Sequence, residues 1–348
     1  MKLTELDALP EGLLTLPAHQ LHTRIDAMTL IHLEGARRPA LFVSVLLHGN
    51  EHGGWDAVRA LLQRHLAAGG LPRSLTLMIG NVEAARSRQR HLDHQPDFNR
   101  IWAGGPGPEA TLAAQVLARL RARDFLLAVD VHNNTGVNPH YACVTGDDPV
   151  SLALGARFAR PLILVRKPDT VLAAALASHM PAVILEAGRP GEQRGVEHVG
   201  RYLDGLLALD ALPIAPETPV DLYRTLATVK LAPEVRFGFT DPPDASGAAT
   251  LAADATPREQ LDLHLLHEFE HFNFEQLEAG TLFAHAPAQA PLPLRVTDDE
   301  DRDVSAQWFR RDGDAVRFAR AAIPAMFSPD PRILRQDVVC YLMERIES

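Results

Sequence analysis

From residue 40 to residue 209 the chain repeats one alternation: a short apolar, β-branched run, then a longer stretch with helical spacing. The strand-like runs fall at 40–47, 75–79, 125–131, 141–145, 162–165 and 182–185. The helix-like stretches fall at 55–67, 109–121, 149–159, 171–179 and 192–209. Runs that are apolar throughout, rather than at every second position, suit strands buried on both faces. Such strands alternating with helices make an α/β domain, a mostly parallel sheet flanked by helices. In these sheets ligands bind beyond the carboxyl ends of the strands. Residues that close the strand-like runs therefore carry the most information, and His48, His132 and Glu186 stand at or just past such ends.

The texture changes at 211–219, where ALPIAPETP reads as a linker. Beyond it come short strand-like runs at 223–229, 280–284, 292–296, 315–321 and 338–342. The expectation is a catalytic α/β domain over 1–213 and a smaller C-terminal β-rich domain over 220–348. A loop-rich insertion is expected near 241–257, rich in Pro, Ala, Gly and Asp. Ahead of residue 39, runs at 13–16 and 27–33 read as lead-in strands. With 348 residues, 46% of them apolar, the chain can fill a core in each part.

A net charge of −10 argues against nucleic acid as the main partner, because nothing here neutralises a row of phosphates. No run reaches the length of a membrane span. The amino-terminal MKLTELDALPEGLLTLP has no apolar core of a signal peptide, so a cytoplasmic location is expected. Cys143 and Cys340 each lie in an apolar run and read as small core residues rather than a disulfide framework.

Four stretches carry chemistry. His48-Gly49-Asn50-Glu51 places an imidazole and a carboxylate three residues apart in one tight turn, close enough to share a metal ion. Zinc takes neutral imidazole nitrogen and carboxylate oxygen, and a catalytic site uses three protein ligands. The best third ligand is His132, in Asp130-Val131-His132-Asn133-Asn134; the other reading makes it a cap for the following turn. Arg90, Asn99 and Arg100 lie in a charge-rich stretch. It is either a solvated loop or a carboxylate site, since arginine offers a planar fork and asparagine directional donors. Glu186 ends a buried run before Ala187-Gly188-Arg189, as a general base or as the partner of Arg189. A fifth match, His267-Glu268-Phe269-Glu270-His271, fits the HExxH zinc pattern if its flank is helical, but has no third ligand downstream and reads as a chance match.

Taken together and in order, HGNE at 48–51, DFNR at 97–100, DVHNNTG at 130–136 and LEAG at 185–188 resemble the succinylglutamate desuccinylase/aspartoacylase family of zinc carboxypeptidase-like hydrolases. The stretch around Gly280 resembles a glycine turn of that family's carboxyl-terminal β-domain. The resemblance implies that His48, Glu51 and His132 hold one Zn2+ per chain and that Glu186 is the base. It implies that Asn99, Arg100 and Arg90 hold a substrate carboxylate. The activity it implies is a zinc-dependent amidohydrolase cleaving the amide bond of a small N-acyl amino acid. The partner is then that small molecule, with neither nucleic acid nor membrane, and a homo-oligomer stays open. An alternative with the same zinc set is a metallocarboxypeptidase acting on a peptide or cell-wall fragment. A non-enzymatic metal-holding scaffold is a third reading, against which Glu186 argues, since a structural zinc needs no free carboxylate beside it.

Overall fold

The computed structural model describes residues 2–240 and 261–346, so the insertion expected near 241–257 lies outside the described residues. The chain divides into two compact units, Met1–Asn134 with His140–Leu222, and Thr135–Pro139 with Tyr223–Ser348.

The strands of the first unit are β1 (Leu3–Leu6), β2 (Met28–Leu33), β3 (Ala40–Val45), β4 (Leu75–Ile79), β5 (Phe125–His132), β6 (Tyr141–Val144), β7 (Pro161–Leu164) and β8 (Ala182–Glu186). They lie side by side in the order β1-β2-β4-β3-β5-β8-β6-β7. The pairs β2/β4 and β6/β8 are antiparallel and the remaining pairs parallel, so the sheet is mixed with a parallel centre. Its helices are α1 (Gly53–Ala67), α2 (Val82–Ser87), α3 (Pro108–Arg121), α4 (Pro149–Phe158), α5 (Leu172–Leu176) and α6 (Gln193–Leu207). β4 and β8 are buried at every position, in keeping with runs that are apolar apart from Thr76 and the terminal Glu186. α1 buries Trp55, Val58, Leu61 and Leu62, one helical stripe, and lies beside α6. Proline at the start of α3 and α4 gives those helices a preset first turn, and the Asp148 carboxylate caps α4 by accepting from the Val150 and Ser151 amides.

Three differences from the sequence reading have physical causes. β3 stops at Val45 rather than 47, because Leu46 adopts φ 59, a left-handed conformation that breaks the strand. The run at 13–16 forms a 3-10 turn, Leu13–Thr15, opened by Gly12 at φ 74. β1 and α2 are additional, both too short for a periodic signal in the sequence.

The second unit contains β9 (Asp221–Leu231), β10 (Phe237–Thr240), β11 (Leu263–Leu266), β12 (Leu282–His285), β13 (Leu294–Thr297), β14 (Phe309–Asp312), β15 (Ala315–Phe318), β16 (Ile323–Ala325) and β17 (Cys340–Ile346), with two short helices, α7 (Ser305–Trp308) and α8 (Pro331–Gln336). β10-β11-β12-β15-β14 form a five-stranded sheet, while β9 pairs with β13 and β16 with β17. Its core is aromatic: Phe269 meets Phe283 at 4.9 Å and Phe327 at 5.1 Å between ring centroids, mostly edge to face. Among the described residues no helix is long and apolar enough to cross a membrane.

Candidate metal centre

The parallel pairing of β5 and β8 sets His132 directly beside Glu186, each the last residue of its strand. His48 arrives by a different route. After the left-handed turn at Leu46, the Gly80 and Asn81 amides donate to the carbonyls of Val45 and Leu46 and tie the chain end to the segment after β4. The turn then closes as the Glu51 amide donates to the His48 carbonyl at 3.2 Å. Gly49 is required by close approach: a Cβ there would lie 2.2 Å from the backbone of Ala84 and Ala85 in α2. A Cβ on Gly54 would lie 2.9 Å from the Val131 side chain, so glycine lets α1 begin hard against β5.

These routes converge. His48 Nδ1 is 2.8 Å from Glu51 Oε1, and His132 Nδ1 is 2.8 Å from Glu51 Oε2. One ligand atom from each of the three residues lies within 4.8 Å of the others, and all three side chains are buried. The opposite nitrogens face carboxylates: His48 Nε2 is 2.9 Å from Asp97 Oδ1, and His132 Nε2 is 3.0 Å from Asp130 Oδ2. The Asn133 amide donates to Glu51 Oε2 at 3.2 Å.

The electrostatics follow from this crowding. Burial alone would raise the Glu51 carboxyl, but the two imidazoles outweigh it and hold the group well below the usual carboxylate range. Burial would lower His132, yet Asp130 and Glu51 together push it well above its ordinary value. His48 is raised as well: burial and Arg90 pull it down, and Glu51 and Asp97 overcome them. Burial pushes Glu186 up to about 7, with His132 drawing it down and the Glu51 charge adding to the rise. Its Oε2 is buried without a hydrogen-bond partner within the protein.

This donor set fits a divalent cation. Without one, a proton must lie between each Nδ1 and Glu51, so each ring has an acceptor at both nitrogens. With one, each Nε2–H would donate to Asp97 or Asp130, which would leave the Nδ1 lone pairs beside Glu51 available to the ion. Two imidazoles and a carboxylate are a ligand set that zinc accepts.

The remaining residues singled out in the sequence lie close by. Arg90 is buried and donates from Nε and Nη2 to Asp97 Oδ2 at 3.1 and 2.9 Å. Asn99 is buried, its Nδ2 3.3 Å from His132 Nε2 while its Oδ1 accepts from the Leu172 amide at 3.0 Å. Arg100 is half-buried and donates from Nη1 to the Asn99 carbonyl at 2.9 Å. Sequence alone names neither Asp97 nor Asp130 as a site residue. Asp130 had a signal, since two residues apart on a strand share a face with His132; Asp97, far from His48 in the chain, had none. The HExxH stretch is different. Leu263–Leu266 is a strand and His267–Phe272 a 3-10 helix, where residues four apart do not share a face, so the zinc geometry of that motif does not form.

Residues 37–199 match the family model for the succinylglutamate desuccinylase/aspartoacylase catalytic domain. A probable aspartoacylase of Parasynechococcus marenigrum is 33% identical over 156 residues, which is 40% of this chain and 50% of that protein. A succinylglutamate desuccinylase of Burkholderia cenocepacia is 36% identical over 96 residues, 26% of this chain and 27% of the relative. The chain thus spans half or less of these relatives' lengths. The solved structure of a succinylglutamate desuccinylase from Chromobacterium violaceum matches with a TM-score of 0.52 at 19% identity, covering 90% of this chain and 86% of that one, a likeness of fold. Over residues 37–199 the chain is similar to the catalytic domain of the succinylglutamate desuccinylase/aspartoacylase family.

Proposed function

We propose that the protein is a zinc-dependent deacylase that hydrolyses the amide bond of a small N-acyl amino acid, on a catalytic unit of the zinc carboxypeptidase type. The observation that carries this reading is the buried His48–Glu51–His132 group with Glu186, raised to about 7, beside His132 on the neighbouring strand. His48, Glu51 and His132 would hold the ion. Zinc, when bound, supplies Lewis-acid chemistry: it polarises a carbonyl oxygen and makes water nucleophilic near neutral pH. Glu186 accepts the proton of the attacking water and delivers it to the leaving amine, a shuttle suited to a carboxyl that titrates near the working pH. Arg100 offers its fork to the substrate carboxylate, and Asn99 and Arg90 line the same side.

A hydrolysis screen of the zinc-loaded protein across N-acetyl, N-formyl and N-succinyl amino acids and tripeptides tests the proposal. Release of the free amino acid from an N-acyl amino acid, faster than cleavage of any tripeptide, is expected. Preferential cleavage of tripeptides would favour a carboxypeptidase instead.

A further inference from the structure

His48 sits in a closed ring of charged groups. Its two nitrogens face Glu51 Oε1 at 2.8 Å and Asp97 Oδ1 at 2.9 Å. Arg90 reaches both of those carboxylates: Nε and Nη2 donate to Asp97 Oδ2 at 3.1 and 2.9 Å, and Nη1 stands 3.7 Å from Glu51 Oε1. The Asn99 amide adds a donor to Asp97 Oδ1 at 2.7 Å. The ring is largely buried, with His48, Glu51 and Arg90 at 3%, 5% and 7% exposure and the Asp97 side chain at 12%.

The two histidines are held in unlike ways. Asp130 lies two residues before His132 on β5, so strand geometry alone aligns that pair. His48 follows an irregular turn, and its carboxylate comes from a loop with no register to the strand. Some other group has to fix Asp97, and the Arg90 fork, with two nitrogens on one oxygen, does so while turning Oδ1 toward His48.

We propose that Arg90 and Asp97 form a latch that holds His48 in the orientation and tautomer needed to bind the metal. Arg90 is then a positioning residue for the metal site, in addition to any contact with substrate. This rests on the metal-dependent reading of the site. The guanidinium acts in two opposed senses. Its charge near Glu51 weakens cation binding, and its fork on Asp97 strengthens it. Lysine keeps the first and loses the second.

The test is zinc affinity, measured by chelator competition on the full chain for the wild type, Arg90→Lys, Arg90→Gln and Asp97→Asn. The visible spectrum of the cobalt-substituted proteins and a circular-dichroism check of folding accompany it. Arg90→Lys and Asp97→Asn are expected to lose about 10- to 100-fold in affinity, the usual effect of removing a group that orients a ligand, with a changed cobalt spectrum. Asp97→Glu, which keeps the charge, replaces Asp97→Asn should the latter not fold. Unchanged affinity and spectrum in Arg90→Lys and in the Asp97 variant, with only KM raised, would overturn the latch and leave Arg90 a substrate residue. Tighter zinc binding in Arg90→Gln would also overturn it, showing that charge alone matters. A wild-type chain that binds no zinc would remove the metal reading itself, a different failure from these.

Discussion

Glu186 is a carboxyl with burial on every side and Glu51 nearby, so its neutral form is favoured up to about 7. Two predictions follow from that residue. In the zinc-loaded enzyme, Glu186→Gln should keep metal and substrate binding and lower kcat by about 10²-fold or more, because an amide cannot carry the proton. Steady-state kinetics with metal analysis check this, and a raised KM with kcat intact would make Glu186 a binding residue. The second concerns the metal-free protein. Between 4.5, the ordinary value, and about 7, the folded state binds a proton at Glu186 that the unfolded chain has released. Stability therefore falls as pH rises through this window. Glu186→Gln removes this contribution, so the stability of the variant relative to the wild type should rise by about 3 kcal/mol between pH 4.5 and pH 7. Urea titrations of both metal-free proteins at several pH values read the difference; a constant gap across that range would contradict it.

At the scale of elements, glycine decides how closely they approach. Gly49→Ala would drive a Cβ to 2.2 Å from the α2 backbone, which no side-chain adjustment relieves. It should cost at least about 1–3 kcal/mol, the usual cost of overpacking. Gly205 lies inside α6 with nothing within 4 Å of its Cβ position, so Gly205→Ala should stabilise by about 0.5–1 kcal/mol through helix propensity. Thermal or urea unfolding of the two variants reads both signs, and equal effects would contradict the packing. The central strands were legible because a strand covered on both faces is mostly apolar, as β4 and β8 are apart from Thr76 and the terminal Glu186. β1, with a half-polar sequence and four residues, carries no such constraint. The left-handed turn at Leu46 was also hidden, since leucine does not advertise φ 59. Residues of the site were suggested by strand-end positions and by the shared face of a tight turn. The Arg90–Asp97–His48 arrangement was not, because it depends on an irregular loop whose path has no period to read.

On the scale of the whole molecule, the described residues show how strands distant in sequence become neighbours. β3, β5 and β8 lie adjacent in the sheet although other elements intervene between them in the chain. That order carries His132 to Glu186, and the turn after β3 brings His48 and Glu51 to the same end. If Arg100 clamps the substrate, amidating the substrate carboxylate should reduce kcat/KM by about 10²-fold or more, since the guanidinium would be left desolvated and without its acceptor. Equal turnover of free and amidated substrates would remove the clamp. The account as a whole stands on the metal, and the most direct measurement is zinc content per chain after dialysis, by elemental analysis, for the wild type and three variants. One zinc per wild-type chain, lost in His48→Ala and in His132→Ala and kept in His267→Ala, is the result predicted. Zinc retained in the first two and lost in the third, or no zinc bound by the wild type, would contradict it.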